Sequence, residues 1–263
     1  MNLNIKGKVA IVAASSKGLG KAIALGLAKE GAHLALCART AGTLLASAEE
    51  IRAATGVEVL AQTVDVTRAD QVNGFVRETL RRLGRVDICV TNAGGPPAKP
   101  FSETSVEDWH AAVNLNLMST VYFAREVLPI MQKQRWGRLI AMTSASVKQP
   151  IDRLILSNSV RAAVSGLVKS LSNEYAQDNI LINSVCPGYT LTDRLNELSE
   201  KMAAAEGVEA GAIQARWISQ IPARRLASPE EVANVVVFLA SERASYVTGT
   251  SIAVDGGWVK GIH

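Results

Sequence analysis

Short apolar runs alternate with amphipathic stretches from one end of the chain to the other. Residues 9–13, 33–37, 57–64, 86–91, 137–143, 180–185 and 251–254 are apolar over most of their length, as strands covered on both faces should be. Between them, residues 18–29, 44–54, 71–83, 106–134, 156–176 and 229–241 carry apolar side chains at three-to-four spacing, the period of a helix with a buried face. Strands separated by helices pair in parallel, because each crossover helix returns the chain to the end of the sheet where it started. The pattern predicts an α/β fold, a parallel sheet with helices on both faces. No Pro/Gly/Ser-rich linker, repeat or low-complexity tract interrupts it, so residues 1–263 are expected to form a single domain. Residues 190–228 break the rhythm with a polar, alanine-rich excursion, read as small helices that form a substrate lid.

Composition narrows the function classes. With 263 residues, 48% of them hydrophobic, the chain can bury a sizeable core. Its formal charge of +4 is scattered, with no basic run, so neither nucleic acid nor membrane is expected as a partner. Cys37, Cys89 and Cys186 are far apart in sequence and read as small, reduced core residues. The histidines, at 33, 110 and 263, form no cluster with them, so no metal site is expected. No signal peptide and no long apolar span is read, and a cytoplasmic location is the expectation.

The first strand runs into Ala13-Ala14-Ser15-Ser16-Lys17-Gly18-Leu19-Gly20, which opens a helix. A strand, a glycine turn and a helix N-terminus make an anion site, because free backbone N–H groups and the helix dipole face the ligand. The bland alternative is a tight strand-to-helix turn. Ala38-Arg39 ends the second strand with no Asp or Glu to hold a ribose 2′-hydroxyl, whereas a guanidinium suits a 2′-phosphate. Lys17 is placed to reach the same phosphate, so NADP(H) is favoured over NAD(H). Asp65-Val66 and Asn92-Ala93-Gly94 follow the third and fourth strands at the carboxyl edge, where such sheets bind ligands. Asp65 could accept from the adenine amino group, and the small Ala93-Gly94 lets backbone approach the ribose. A turn or a helix cap is the alternative for each.

These motifs, with Asn116-Leu117 seven residues after Trp109, Ser144, Pro187-Gly188-Tyr189-Thr190-Leu191-Thr192, Val247-Thr248-Gly249 and Val254-Asp255-Gly256-Gly257, resemble the short-chain dehydrogenase/reductases, in particular the β-ketoacyl-carrier-protein reductase-like group. The resemblance covers essentially the whole chain. It implies a doubly wound seven-stranded Rossmann sheet, NAD(P)(H), and hydride transfer between a carbonyl and an alcohol. Position by position, the family's catalytic Asn falls on Asn116 and its substrate-polarising Ser on Ser144. Pro187, Gly188, Thr190 and Thr192 fall in the loop that should pass the nicotinamide. Where the family has its proton-donating Tyr this chain has Ser157, and where the family has Lys it has Arg161. Ala13-Ala14 also replaces the usual Thr-Gly, and the combination resembles a divergent branch of the group.

A phenol with a pKa near ~10 can be drawn toward neutrality by a nearby cation and protonate a developing alkoxide. Ser157 can donate a hydrogen bond but is a poor proton reservoir, and its side chain is shorter. Arg161 keeps the positive charge and could hold the nicotinamide ribose, yet with a pKa above ~12 it releases no proton. Tyr189, Lys148, Asp152 and a water held by Asn116 and Ser157 are alternative proton sources. The leading reading is an NADP(H)-dependent oxidoreductase acting on a small-molecule carbonyl/alcohol pair, with Asn116, Ser144, Ser157 and Arg161 at its catalytic centre. A cofactor-binding protein without redox turnover and a non-redox lyase or dehydratase are the alternatives. Val160, Val164, Leu167, Val168 and Leu171 give residues 156–176 a stripe wider than one sheet contact needs. A homo-oligomer is expected, a dimer through the long helices or a tetramer that also uses the Trp258 end.

Overall fold

The computed structural model describes residues 2–262, so Met1 and His263 lie outside the described residues. Seven strands, β1 (Val9–Ala13), β2 (His33–Ala38), β3 (Val59–Thr63), β4 (Ile88–Thr91), β5 (Gly137–Met142), β6 (Ile180–Pro187) and β7 (Ser251–Val254), form one sheet in the order β3-β2-β1-β4-β5-β6-β7. Every pairing is parallel. The order reverses between β1 and β4, and the crevice beyond the carboxyl ends at that reversal is where such sheets bind ligands. The parallel sheet expected from the alternation is observed, and with it the doubly wound seven-stranded Rossmann order that the family resemblance implied.

Alternation along β1 divides the core. Ala10 and Val12 face a cluster built with Ile23 and Leu27 of α1 (Gly18–Lys29), Leu44 and Ile51 of α2 (Ala41–Thr55), and Val232 and Val236. Ile11 and Ala13 face the opposite cluster, with Phe75 of α3 (Ala69–Leu83), Phe123, Val127 and Val164. A strand residue points to one face and its neighbour to the other, so a continuously apolar strand is the signature of burial on both sides. All three cysteines are free and buried. Burial pushes the Cys37 thiol up to about 12, so it stays protonated as a small apolar residue. Among the described residues no group of His, Cys, Asp and Glu could hold a metal ion, and no helix is long and apolar enough to cross a membrane.

The structure corrects the single helix expected over 106–134. It divides into α4 (Val106–Ala112), a π-helical turn at Val113–Met118 and α5 (Ser119–Gln134). The Ser119 hydroxyl donates to the Leu115 carbonyl at 2.6 Å and that of Thr120 to the Asn116 carbonyl at 3.3 Å, so side chains bond the backbone where the ladder is widened. Strand ends also shift: β3 covers 59–63 within the expected 57–64, and β6 extends to Pro187, which pairs with Val254. Beyond β5 lie α6 (Ile155–Tyr175), then α7 (Asp193–Glu206), α8 (Ala210–Gln220) and α9 (Pro229–Leu239). The excursion at 190–228 thus folds into α7 and α8, joined through Leu195, Ala203, Ile213 and Trp217. Of the apolar stripe on α6, Val160, Val164 and Val168 are buried within the protomer, and Leu167 and Leu171 are half-buried.

Candidate active site

A cleft of about 640 Å³ opens at the carboxyl edge of the sheet. At one end the β1–α1 turn brings Ser16, Lys17, Gly18 and Leu19 to its wall. Lys17, the N-cap of α1, provides no side-chain cap, so the first N–H groups of the helix are left for an anion. Gly20 lies behind the wall: a Cβ there would fall 2.1 Å from the Ala14 carbonyl oxygen, so only glycine permits the turn. Ala14 itself adopts a left-handed φ of 49°, a conformation that glycine takes at lower cost. Ser15, expected as a cofactor contact, is instead fully buried. Its N–H and hydroxyl both donate to the Cys37 carbonyl, tying the turn to β2 rather than offering donors to the cleft.

Arg39, Asp65, Val66, Asn92, Ala93 and Gly94 all line the same cleft, brought there by β2, β3 and β4. One oxygen of Asp65 accepts from the Thr67 N–H at 3.0 Å and the Thr67 hydroxyl at 2.8 Å. The Thr67 N–H chiefly, with its hydroxyl and the charges of Arg39 and Arg68, holds the Asp65 carboxyl below its ordinary range. Lys17 forms an ion pair with Asp193 at 3.1 Å, joining the turn to the first residue of α7. Pro187, Gly188, Thr190 and Thr192 form the opposite wall. Gly188 must be glycine because a Cβ there would stand 2.7 Å from the Asp255 Cβ. Thr192 caps α7, its hydroxyl oxygen accepting from the Leu195 N–H at 3.3 Å. A cleft with free helix N–H groups at one end, a guanidinium at the β2 edge and small residues at the β4 end fits a phosphorylated dinucleotide.

Ser144, Ser157 and Arg161 line the cleft at its other end. Ser144 follows β5 and its hydroxyl accepts from the Ser146 N–H at 3.1 Å. Ser157 and Arg161 lie one turn apart on α6, which turns both toward the cleft. The Arg161 guanidinium donates to the carbonyls of Met142 at 3.1 Å, Thr143 at 3.2 Å and Gly94 at 3.3 Å. Burial, with repulsion from Arg194, brings Arg161 down to about 10, which leaves it cationic at neutral pH. Asn116 does not reach the cleft. Its amide donates to the Gly94 carbonyl at 3.0 Å, and its other amide atom is buried without a hydrogen-bond partner. Asn116 and Arg161 thus hold one carbonyl between them.

Tyr189 also lines the cleft, stacked on Trp217 with centroids 5.0 Å apart and met edge-on by Trp258 at 5.7 Å. Burial, followed by the charge of Asp152, pushes its phenol up to about 12. That makes it a weaker acid than an ordinary tyrosine and speaks against a proton-donating role. Asp152 and Lys148 do not line this cleft. Arg194, Leu198 and Trp258 do, and sequence reasoning missed all three as site residues. Arg194 had a signal, two residues beyond Thr192; Trp258, 114 residues beyond Ser144, had none.

The chain matches the family described as enoyl-(acyl carrier protein) reductase over residues 13–259. It is 35% identical over 257 residues to the 3-oxoacyl-(acyl-carrier-protein) reductase of Aquifex aeolicus (strain VF5), covering 98% of this chain and 99% of that relative. The 7alpha-hydroxysteroid dehydrogenase of Escherichia coli (strain K12) is 31% identical over 262 residues, covering 100% of this chain and 98% of its own. The solved structure of L-sorbose reductase from Gluconobacter frateurii, complexed with NADPH and L-sorbose, matches with a TM-score of 0.95 at 36% identity over 100% of both chains. Sheet order, site geometry and these similarities agree: the chain belongs to the short-chain dehydrogenase/reductase family of oxidoreductases.

Proposed function

We propose that this protein is a cytoplasmic NADP(H)-dependent oxidoreductase that interconverts a carbonyl and an alcohol, with Ser157 and Arg161 in the places where its family has tyrosine and lysine. The observation that carries the reading is the continuity of one cleft from Arg39 and the α1 N-terminus to Ser144, Ser157 and Arg161. When bound, the reduced nicotinamide supplies hydride to the carbonyl carbon. Arg39 and Lys17 take the 2′-phosphate, Lys17 leaving Asp193 to do so. The first N–H groups of α1 take the pyrophosphate. Ser144 and Ser157 donate hydrogen bonds to the substrate oxygen and hold the charge that develops there. Arg161 is fixed by three carbonyls, so its charge is preorganised rather than swung into place. Neither it nor a serine is a proton reservoir, so the proton for the alkoxide comes from water through the Ser157 hydroxyl. Asn116 positions the Gly94 carbonyl, and α7 and α8 serve as the substrate lid.

Titration of NADPH and NADH against the parent and Arg39→Ala tests the cofactor assignment. A well-formed charge-assisted contact contributes about 1.5–3 kcal/mol, so the variant should lose roughly tenfold to a hundredfold in NADPH affinity and little in NADH affinity. Equal affinities in the parent, or no loss in the variant, overturn it. NADPH oxidation with a panel of aldehydes, quinones and 3-oxoacyl thioesters tests turnover. Tight NADPH binding with no turnover across the panel returns the protein to the non-redox readings.

A further inference from the structure

Beside the cofactor cleft lies a second cavity of about 440 Å³, and the two share Ile151, Leu154, Tyr189, Arg194, Leu198 and Trp258. Its wall carries the cations Lys99, Arg153, Arg194, Lys201 and Arg216 against one acid, Asp152. Two of these cations are closely matched, Lys99 to Asp108 at 2.8 Å and Arg216 to Glu206 at 2.8 Å. Arg153 pairs only loosely, 3.7 Å from Glu103 between half-exposed side chains. Arg194 and Lys201 are held no more tightly, and they share one helix. Arg194 donates to the Pro96 carbonyl at 3.1 Å and stands 3.8 Å from Glu197, a contact between two half-exposed side chains. Screening makes a contact of that kind weak. Among the described residues Lys201 makes no ion pair. Both project from α7, seven residues apart and therefore on one face of the helix.

Arg194 also borders the catalytic end. It repels the buried Arg161 guanidinium, which lines the same cleft. Flat apolar surface completes the chamber, with Tyr189 stacked on Trp217 at an interplanar angle of 14° and Trp258 edge-on to Tyr189. A cavity whose wall joins loosely paired positive charge to aromatic rings recognises an anion on an apolar body.

We infer that the substrate is an anionic carbonyl compound, whose reacting carbonyl lies at Ser144 and Ser157 and whose acidic group lies in the second cavity between Arg194 and Lys201. The inference rests on the oxidoreductase reading above and deepens it. The acidic group has two possible sources, a carboxylate of the substrate itself or the phosphate of a thioester carrier arm, and both meet the same two cations.

The test uses matched pairs on the NADPH complex: an oxo acid against its methyl ester, and a 3-oxoacyl-coenzyme A against the neutral N-acetylcysteamine thioester. Binding is read from quenching of tryptophan fluorescence, independently of NADPH oxidation. The anionic member of at least one pair should bind at least tenfold more tightly, and raising salt from 50 to 500 mM should erode most of that preference. The pair that discriminates identifies the source. Arg194→Met and, separately, Lys201→Met should each reduce the acid-to-neutral affinity ratio by fivefold or more. Lys201 is exposed on α7, so its variant tests the site even where Arg194→Met disturbs the lid. Equal binding of acid and neutral partner in both pairs, absence of binding by all four compounds, or a ratio unchanged in Lys201→Met and Arg194→Met overturns the inference. Anion-selective binding without NADPH oxidation supports the anion site between Arg194 and Lys201 and overturns the oxidoreductase reading, with the reacting carbonyl at Ser144 and Ser157.

Discussion

Replacing Arg161 with alanine should destabilise the fold before it alters any chemistry. The guanidinium joins three segments: the end of β5 through Met142 and Thr143, the loop after β4 through Gly94, and α6, which carries it. Hydrogen bonds to a charged group each contribute about 1.5–3 kcal/mol. Three of them total roughly 5–9 kcal/mol, and the relief of burying a cation, several kcal/mol, offsets part of this. The net loss is about 2–4 kcal/mol, and for a chain of this size each kcal/mol lowers Tm by about 2–4 °C. Thermal unfolding followed by circular dichroism should therefore show a Tm roughly 5–15 °C below the parent. Arg161→Met separates the causes, because it keeps most of the aliphatic stem and removes only the donors and the charge. Most of the loss should persist in it. Arg161→Lys keeps the charge but not the planar fork that spans the three carbonyls, and about half of the loss should remain. NADPH affinity should fall in parallel with Tm, since the Gly94 carbonyl sits at the cofactor wall. A Tm within 1 °C of the parent in Arg161→Ala would show that these bonds add nothing net, and would refute the view of Arg161 as the clamp of the site.

Other expectations concern the catalytic end, the turn and the assembly. Ser157→Ala should lower kcat/KM by about tenfold to a hundredfold, the effect of one lost donor, with NADPH affinity unchanged; steady-state kinetics that match the parent would remove Ser157 from the reaction. Ala14→Gly relieves a left-handed alanine, about 1–2 kcal/mol, but admits more unfolded conformations, about 0.4–1 kcal/mol. Tm should rise by a degree or two, and a fall would show that the turn is not strained there. Light scattering at micromolar concentration should give a multiple of 27.9 kDa, with Leu167 and Leu171 of α6 in the dimer interface; a monomer mass disproves this.

Much of the architecture was written in local patterns. Two-residue and three-to-four-residue periods are properties of neighbouring positions, so β1, α1 and the alternation that dictates a parallel sheet could be read without knowing any distant contact. The glycine turn was legible for the same reason, because backbone freedom at Gly18 and Gly20 belongs to the residue itself. The π turn at Val113–Met118 was not, since the wide turn conserves apolar spacing closely enough to pass for one helix of 106–134. Nor was the setting of Arg161, whose acceptors lie 18, 19 and 67 residues away in sequence. The residue type was visible, and with it the charge; which carbonyls surround that charge depends on where α6 packs against the sheet. The second cavity is the extreme case. Arg194 and Lys201 come from α7, Trp217 from α8, and Trp258 from beyond β7, and only the packing of α7 and α8 against the sheet's carboxyl edge brings their charge and their rings around one space. Charge and ring are carried by each residue alone, but a binding site is a distance between residues, and distances across a chain are decided by the fold.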